Sequence, residues 1–301
     1  MAKEMITIDN LTKDYGEKRG IFNMNLRIKE GEVFGIVGVN GAGKTTTLRM
    51  LMGFIKPTMG RAYITGKDTW KESATVKSYV GYVPGEIAFP DTKSGQTFLK
   101  LQMDLLREKA IKSQRVNELI QKLKIDTTAD IKRMSKGMKQ KVALVCAFMA
   151  DAKVLLLDEP TTGLDPVMRD VFIQLIKDAK AKGTTIIMSS HMFNELEPTC
   201  DRIAFLKNGK IIEILDQTKM EELHSYQEFI LQLKDNASYD YLLTAGFEIK
   251  GENPLKKTLT IIIHETQVNK LIQELGQSKI KNLSIRRMGL DNYFAEELAT
   301  L

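Results

Sequence analysis

Apolar and polar positions change rhythm several times along this chain, and each rhythm predicts an element. Met5–Ile8 alternates, and so does Phe22–Ile28 through Phe22, Met24, Leu26 and Ile28, so both predict half-buried strands. Val33–Val37 is a short continuous apolar run that predicts a buried strand. A glycine-rich loop follows, then a helical pattern over Thr45–Met52 that Gly53 stops. Pro57, Gly60 and Gly66 punctuate further short strands, among them Arg61–Ile64. Helical spacing returns over Phe98–Leu106, Val116–Leu123 and Lys139–Ala150, so the stretch from Pro90 to Ala150 reads as a mostly helical subdomain.

Val154–Leu157 is apolar at every position, the mark of a strand covered on both faces in a parallel sheet. Val171–Ala181 predicts a helix and Thr184–Met188 another buried strand. Ile203–Lys207 and Lys210–Leu215 flank Asn208-Gly209, which predicts a hairpin with a type I′ turn. Strands alternating with helices predict an α/β core, with antiparallel strands at its N-terminal edge. After Met220 the pattern restarts: Phe229–Leu233, Thr258–Ile263 and Leu283–Arg286 read as strands, Tyr239–Ala245 and Thr266–Leu275 as helices. The expected division is therefore a first domain over 1–219 and a small α+β domain over 220–301, with a ferredoxin-like arrangement as its candidate topology.

Composition narrows the class. The 301 residues are 43% hydrophobic and 27% charged, enough to bury a core and unlike a disordered chain. A net charge of +6 is mildly basic and spread along the sequence, so it demands no nucleic acid, and none is expected. Two cysteines, Cys146 and Cys200, make neither a disulfide framework nor a zinc cluster and point to a reducing compartment. The longest apolar run, Val142–Ala150, has nine residues, where a membrane span needs about 20. The opening residues carry Glu4 and Asp9 and lack the apolar stretch of a signal peptide. The expectation is a cytoplasmic protein; were it to act at a membrane, another chain would supply the membrane part.

The candidate chemistry begins at Gly38-Val39-Asn40-Gly41-Ala42-Gly43-Lys44-Thr45, which fits G-x-x-x-x-G-K-[ST] between a predicted strand and a predicted helix. Glycines let backbone N–H groups curl around phosphate oxygens, and the helix N-terminus adds partial positive charge. Lys44 would meet the β- and γ-phosphates, and the Thr45 hydroxyl would ligate Mg²⁺. Farther on, the aliphatic run Val154–Leu157 ends in Asp158-Glu159. Two carboxylates closing a buried strand are costly without a task. Asp158 is placed to orient Mg²⁺ and Glu159 to polarise a water for in-line attack.

With these residues the chain resembles the nucleotide-binding subunit of an ABC transporter, over residues 3–218. Met134-Ser135-Lys136-Gly137-Met138-Lys139-Gln140 is similar to the family's signature motif, usually LSGGQ. Gly163-Leu164-Asp165 is similar to its D-loop, and Ser190-His191 to its switch histidine. Tyr15 stands where the family places an adenine-stacking aromatic. The resemblance implies a P-loop NTPase cassette: a RecA-like parallel-sheet core, an antiparallel β subdomain and a helical subdomain. It also implies ATP and Mg²⁺ as cofactors, bound by Tyr15, Gly38 to Thr46 (Val39, Asn40, Gly41, Ala42, Gly43, Lys44, Thr45, Thr46) and Asp158. Lys44, Glu159 and His191 are then catalytic. Two cassettes close head to tail, so Ser135 and Gly137 reach the partner's ATP and Asp165 lies at the dimer contact. The partners are a second cassette, identical or closely related, and transmembrane permease subunits, which place the chain on the inner face of the cell membrane.

Two positions depart from the family pattern. No glutamine stands at the Q-loop position, where Val83-Pro84 leads into Gly85-Glu86, and Glu86 is the candidate to supply that oxygen to the metal. Lys136 occupies a usual glycine position in the signature. His224 and His264 match no motif. A single cassette with a small C-terminal domain resembles export-type, ABC-2-like systems for drugs, antimicrobial peptides, polysaccharides or lipids. The alternatives are a soluble ABC ATPase in translation or DNA repair, and a regulatory module that binds ATP without turnover. The first is disfavoured by the single cassette, the second by the intact Asp158-Glu159 pair and His191.

Overall fold

The computed structural model describes residues 3–90, 94–106 and 111–294. Its contacts separate two compact units, Met1–Ile214 and Leu215–Leu301.

The first unit opens with β1 (Glu4–Asp14), β2 (Gly20–Lys29), β3 (Val33–Val37) and α1 (Lys44–Leu51). It continues with β4 (Met59–Ile64), β5 (Lys67–Asp68), α2 (Ser73–Tyr79) and β6 (Val80–Val83). Three helices follow, α3 (Gly95–Leu105), α4 (Ser113–Lys122) and α5 (Lys136–Phe148). Then come β7 (Val154–Asp158), α6 (Pro166–Ala181), β8 (Thr185–Ser190) and α7 (Phe193–Leu196). The hairpin β9 (Arg202–Lys207) and β10 (Lys210–Asp216) closes the run. Its turn residues Asn208 and Gly209 have φ of +49° and +74°, the left-handed pair that a type I′ turn requires.

Six strands form one sheet in the order β10-β9-β3-β8-β7-β6, in which β6, β7, β8, β3 and β9 run parallel. Every residue of β3, β7 and β8 is buried, because a parallel sheet is covered on both faces. Being parallel neighbours, these three strands deliver their carboxyl ends to one edge, where ligands of open α/β sheets bind. A second, antiparallel sheet has the order β2-β1-β4-β5. Its alternating Ile6, Ile8, Met24 and Ile28 pack with Leu48 and Leu51 of α1, so the two sheets share one core. Burying each such side chain contributes about 1.5–3 kcal/mol. Several elements lie outside the predicted pattern. α2 has a single buried residue, Val76, and β6 reads Val-Gly-Tyr-Val, too short to show a period.

The second unit contains α8 (Gln217–His224), β11 (Tyr226–Leu233), α9 (Asn236–Leu243) and β12 (Glu248–Asn253). β13 (Thr258–His264), α10 (Val268–Gly276), β14 (Ile280–Arg287) and α11 (Leu290–Tyr293) complete it. The antiparallel sheet has the order β12-β13-β11-β14, and the element run is the βαββαβ pattern of ferredoxin-like folds. Phe229, Leu231, Leu259, Ile261 and Ile263 line its core with Tyr239 and Leu242 of α9 and Leu271 of α10. The division falls slightly ahead of the 219/220 position read from the sequence because α8 packs against β11 and α11. Among the described residues no helix is long and apolar enough to cross a membrane.

Candidate functional site

The loop between β3 and α1 is shaped by its glycines. Gly43 has φ of +110° and caps α1; a Cβ there would lie 2.2 Å from Ile21 Cδ1. The chain can therefore turn directly into the helix only with glycine at this position. Lys44, the first helical residue, is 6% exposed, and its ammonium donates to the carbonyls of Gly38 (2.6 Å) and Val39 (3.3 Å). It also pairs with Glu159 Oε1 at 3.2 Å. A buried cation is tolerated here because three oxygens surround it.

Glu159 follows β7 with φ of +47°, a strained conformation for a residue with a side chain and one that concentrates at functional sites. Its other oxygen, Oε2, meets His191 Nδ1 at 2.8 Å. The carboxylate is thus suspended between Lys44 and His191. Ser189, near the end of β8, ties the acids to the sheet: its hydroxyl donates to Asp158 Oδ1 (2.6 Å) and accepts from the Glu159 N–H (3.0 Å). Asp158 is fully buried, and its Oδ2 has no hydrogen-bond partner. An anionic oxygen held out of water without a donor is costly unless a cation completes it. Gly85 lies against that oxygen, and a Cβ there would approach it to 2.8 Å. The Tyr82 hydroxyl is pushed up to about 12, chiefly by burial, with the Asp158 charge adding and Arg49 opposing.

These groups border a cleft of about 610 Å³. Of the residues expected at the site, Val39, Asn40, Gly41, Gly43, Lys44, Thr45, Thr46, Glu86, Glu159 and His191 line it. Gly38, Ala42 and Asp158 are buried and do not line it. Arg49, Gly85, Lys136 and Thr162 line it as well, and the sequence reading gave them no role there. Ser189 was likewise missed. Its signal was available: two serines ending a fully buried strand after Ile186-Ile187-Met188 need partners. Among the described residues no group of three or more His, Cys, Asp or Glu side chains is gathered for a metal ion.

The remaining expected residues lie outside the cleft lining. Tyr15 is 54% exposed, with the Lys13 ammonium 5.3 Å from its ring centre. Ser135 caps α5, accepting from the Met138 N–H at 3.2 Å, and Asp165 caps α6, accepting from Met168 N–H at 2.9 Å. Gly137 packs so closely on the D-loop that a Cβ would lie 2.4 Å from the Gly163 carbonyl oxygen. The buried Gln140 amide donates to the Pro160 carbonyl at 2.8 Å, a second tie between α5 and the turn after Glu159.

Comparison with known proteins gives a consistent result. The family profile described as "ABC transporter" matches residues 21–162. The chain is 35% identical to the ABC transporter ATP-binding protein YhcH of Bacillus subtilis, over 82% of this chain and 84% of that one. It is 30% identical to the bacitracin transport ATP-binding protein BcrA of Bacillus licheniformis, over 97% and 96%. The linearmycin resistance ATP-binding protein LnrL of Bacillus subtilis matches at 30% over 94% of each chain. Among solved structures, a dimeric ATP-binding cassette in a post-hydrolysis state bound to ADP and Pi superposes with a TM-score of 0.63. The two are 25% identical, over 70% of this chain and 98% of the other.

Proposed function

The chain belongs to the ABC transporter family as an ATP-binding ATPase subunit, and from that premise we propose that it drives export through separate permease subunits at the inner face of the membrane. The observation that carries the reading is the Glu159 carboxylate, held between Lys44 and His191 in the phosphate-loop cleft.

The geometry of the cleft supports the following roles. The loop N–H groups and the α1 N-terminus bind the phosphates, and Lys44 places its ammonium against them. Glu159 accepts a proton from the attacking water, and His191 orients Glu159 and meets the γ-phosphate. Tyr15 stacks on the adenine. Asp158 and Thr45 suit Mg²⁺, which takes few carboxylates alongside hydroxyl, water and phosphate oxygens; the unpartnered Asp158 Oδ2 supports this fit. When bound, Mg²⁺ would neutralise charge on the β- and γ-phosphates, and Glu86 would supply the oxygen expected of the Q-loop. Ser135 and Gly137, at the N-terminus of α5, contact the γ-phosphate of ATP held by a second cassette, and Asp165 lies at the contact between the two.

Phe54, Leu101 and Leu105 support permease docking: all three are exposed, at 50%, 42% and 71%. Phe54 packs edge-on to Tyr82, and Phe89 packs on Phe98 of α3, so aromatic contacts bracket the segment that holds Gly85 and Glu86 along the chain. The likeness to the bacitracin transport and linearmycin resistance proteins favours export over import.

Glu159→Gln tests the assignment. Nucleotide should still bind, and phosphate release should fall by about 10²–10⁴-fold, the usual contribution of a positioned base. Release at the parent rate would remove Glu159 from the role of base.

A further inference from the structure

The end of β8 is the tripeptide Ser189-Ser190-His191, and each residue engages a different carboxylate. Ser189 holds Asp158, and His191 meets Glu159. Ser190, 1% exposed, donates its hydroxyl to Glu195 Oε2 at 2.5 Å and accepts from the Met192 N–H at 3.0 Å. Glu195 belongs to neither the phosphate loop nor the acidic pair. Its side chain is nevertheless only 8% exposed, and its Oε1 pairs with Arg169 Nη1 at 3.6 Å. Arg169 stands in the first turns of α6, whose cap is Asp165. The Arg169 Nε is itself buried without a partner.

α7, which carries Glu195, is fixed in the core. Phe193 and Leu196 are buried, and the Phe193 ring packs on Phe205 of β9 with centroids 6.0 Å apart. Glu195 is therefore a largely buried carboxylate on an anchored turn, with the Ser190 hydroxyl as its donor. A charge-assisted hydrogen bond of this kind is about twice as strong as a neutral one. It pins Ser190, one residue before His191, whose imidazole is held in turn by Glu159.

We propose that Glu195 is a positioning residue for ATP hydrolysis: through Ser190 it sets the backbone that aims His191, and Arg169 couples that setting to the helix that begins at Asp165. This rests on the reading of His191 as the γ-phosphate contact. A displacement of about 1 Å at such a group costs on the order of 10²-fold in rate. Supporting residues one shell out typically contribute about 10- to 100-fold.

The test uses the full-length protein and four variants: Glu195→Ala, Ser190→Ala, His191→Ala and the Glu195→Ala/His191→Ala pair. Phosphate release, equilibrium binding of a fluorescent ATP analogue and the thermal midpoint are measured for each. Glu195→Ala and Ser190→Ala should each lower kcat about 10- to 100-fold with analogue affinity unchanged, and should lower the midpoint only by the few degrees that losing one charge-assisted hydrogen bond costs. The double variant should be no slower than His191→Ala, because Glu195 acts through that residue. If His191→Ala is inactive while Glu195→Ala and Ser190→Ala keep the parent rate, the positioning role is overturned and the reading of His191 stands. Parent-rate hydrolysis by His191→Ala overturns the reading and the inference with it. Additive losses, or a fall in midpoint and affinity matching the fall in rate, make Glu195 a structural residue only. Should Glu195→Ala not fold, Ser190→Ala alone decides, since it removes one hydroxyl and leaves the Arg169–Glu195 pair in place.

Discussion

Gly43 carries two constraints at once: a left-handed backbone at φ +110° and the space beneath Ile21 Cδ1. Gly43→Ala should therefore destabilise the first unit by about 2–5 kcal/mol, summing the left-handed penalty and the overpacking cost. Urea unfolding would measure it, and a variant within about 0.5 kcal/mol of the parent would contradict this packing. Such residues were legible in the sequence because their roles depend on spacing along the chain: Gly38 to Thr45 is contiguous, and Asp158-Glu159 closes an aliphatic run. The contacts that complete the site were not legible, because they join distant residues. Ser189 meets Asp158 across 31 positions, Lys44 meets Glu159 across 115, and neither spacing leaves a local pattern. Arg49 reads as an ordinary surface charge, and Lys136 only as a departure within the signature motif, until the cleft brings them together with the phosphate loop.

At the scale of elements, periodicity found the middles of helices, while their ends are marked by caps. α6 begins at Pro166, not at Val171, because Arg169 and Asp170 interrupt its apolar positions ahead of Val171; the signal for the start was Asp165 before a proline. α5 likewise begins at Lys136 behind the Ser135 cap, ahead of the apolar stretch. β12 was missed because Glu248–Asn253 is mostly exposed at a sheet edge and carries a bulge, so it shows no alternation. In the second unit the cap of α9 yields a pH prediction. Asp235 is held at about 2, below an ordinary aspartate's 3.8, first by the Ser238 N–H, then by the Ser238 hydroxyl and Lys279. A carboxyl depressed by folding stabilises fully above its unfolded value, and the contribution is lost as pH falls through the folded one. The cap should thus weaken between pH 4 and 2. Asp235→Asn, which keeps a good cap without the charge, should flatten that part of the acid-unfolding curve followed by circular dichroism. An unchanged curve would mean that Asp235 does not titrate with folding.

The whole molecule poses the question of what closes over the cleft. Within one chain the phosphate loop, Glu159 and His191 line a single pocket, and Ser135 does not border it. Ser135 nonetheless heads α5, a helix of 13 residues whose N-terminal N–H groups and neighbouring Lys136 and Lys139 make a surface suited to a polyanion. Gly137 and Gln140 fix that surface to the D-loop and to Pro160, so α5 cannot be re-aimed without disturbing the turn after Glu159. A second cassette, turned head to tail, would bring this helix N-terminus to the γ-phosphate held by the first. Ser135→Arg then separates two events that wild-type protein couples. Nucleotide affinity of the monomer should change less than about threefold, because none of its cleft lining is altered, while the dimer that ATP induces in a Glu159→Gln background should be lost. Each lost charge-assisted contact costs about 1.5–3 kcal/mol, and each interface carries two symmetry-related copies, so dimer affinity should fall by at least about 100-fold. Sedimentation velocity with ATP and Mg²⁺ reads the result directly. A dimer of unchanged affinity in the double variant would mean that the two cassettes meet by some other surface, and that α5 serves only the fold of its own chain.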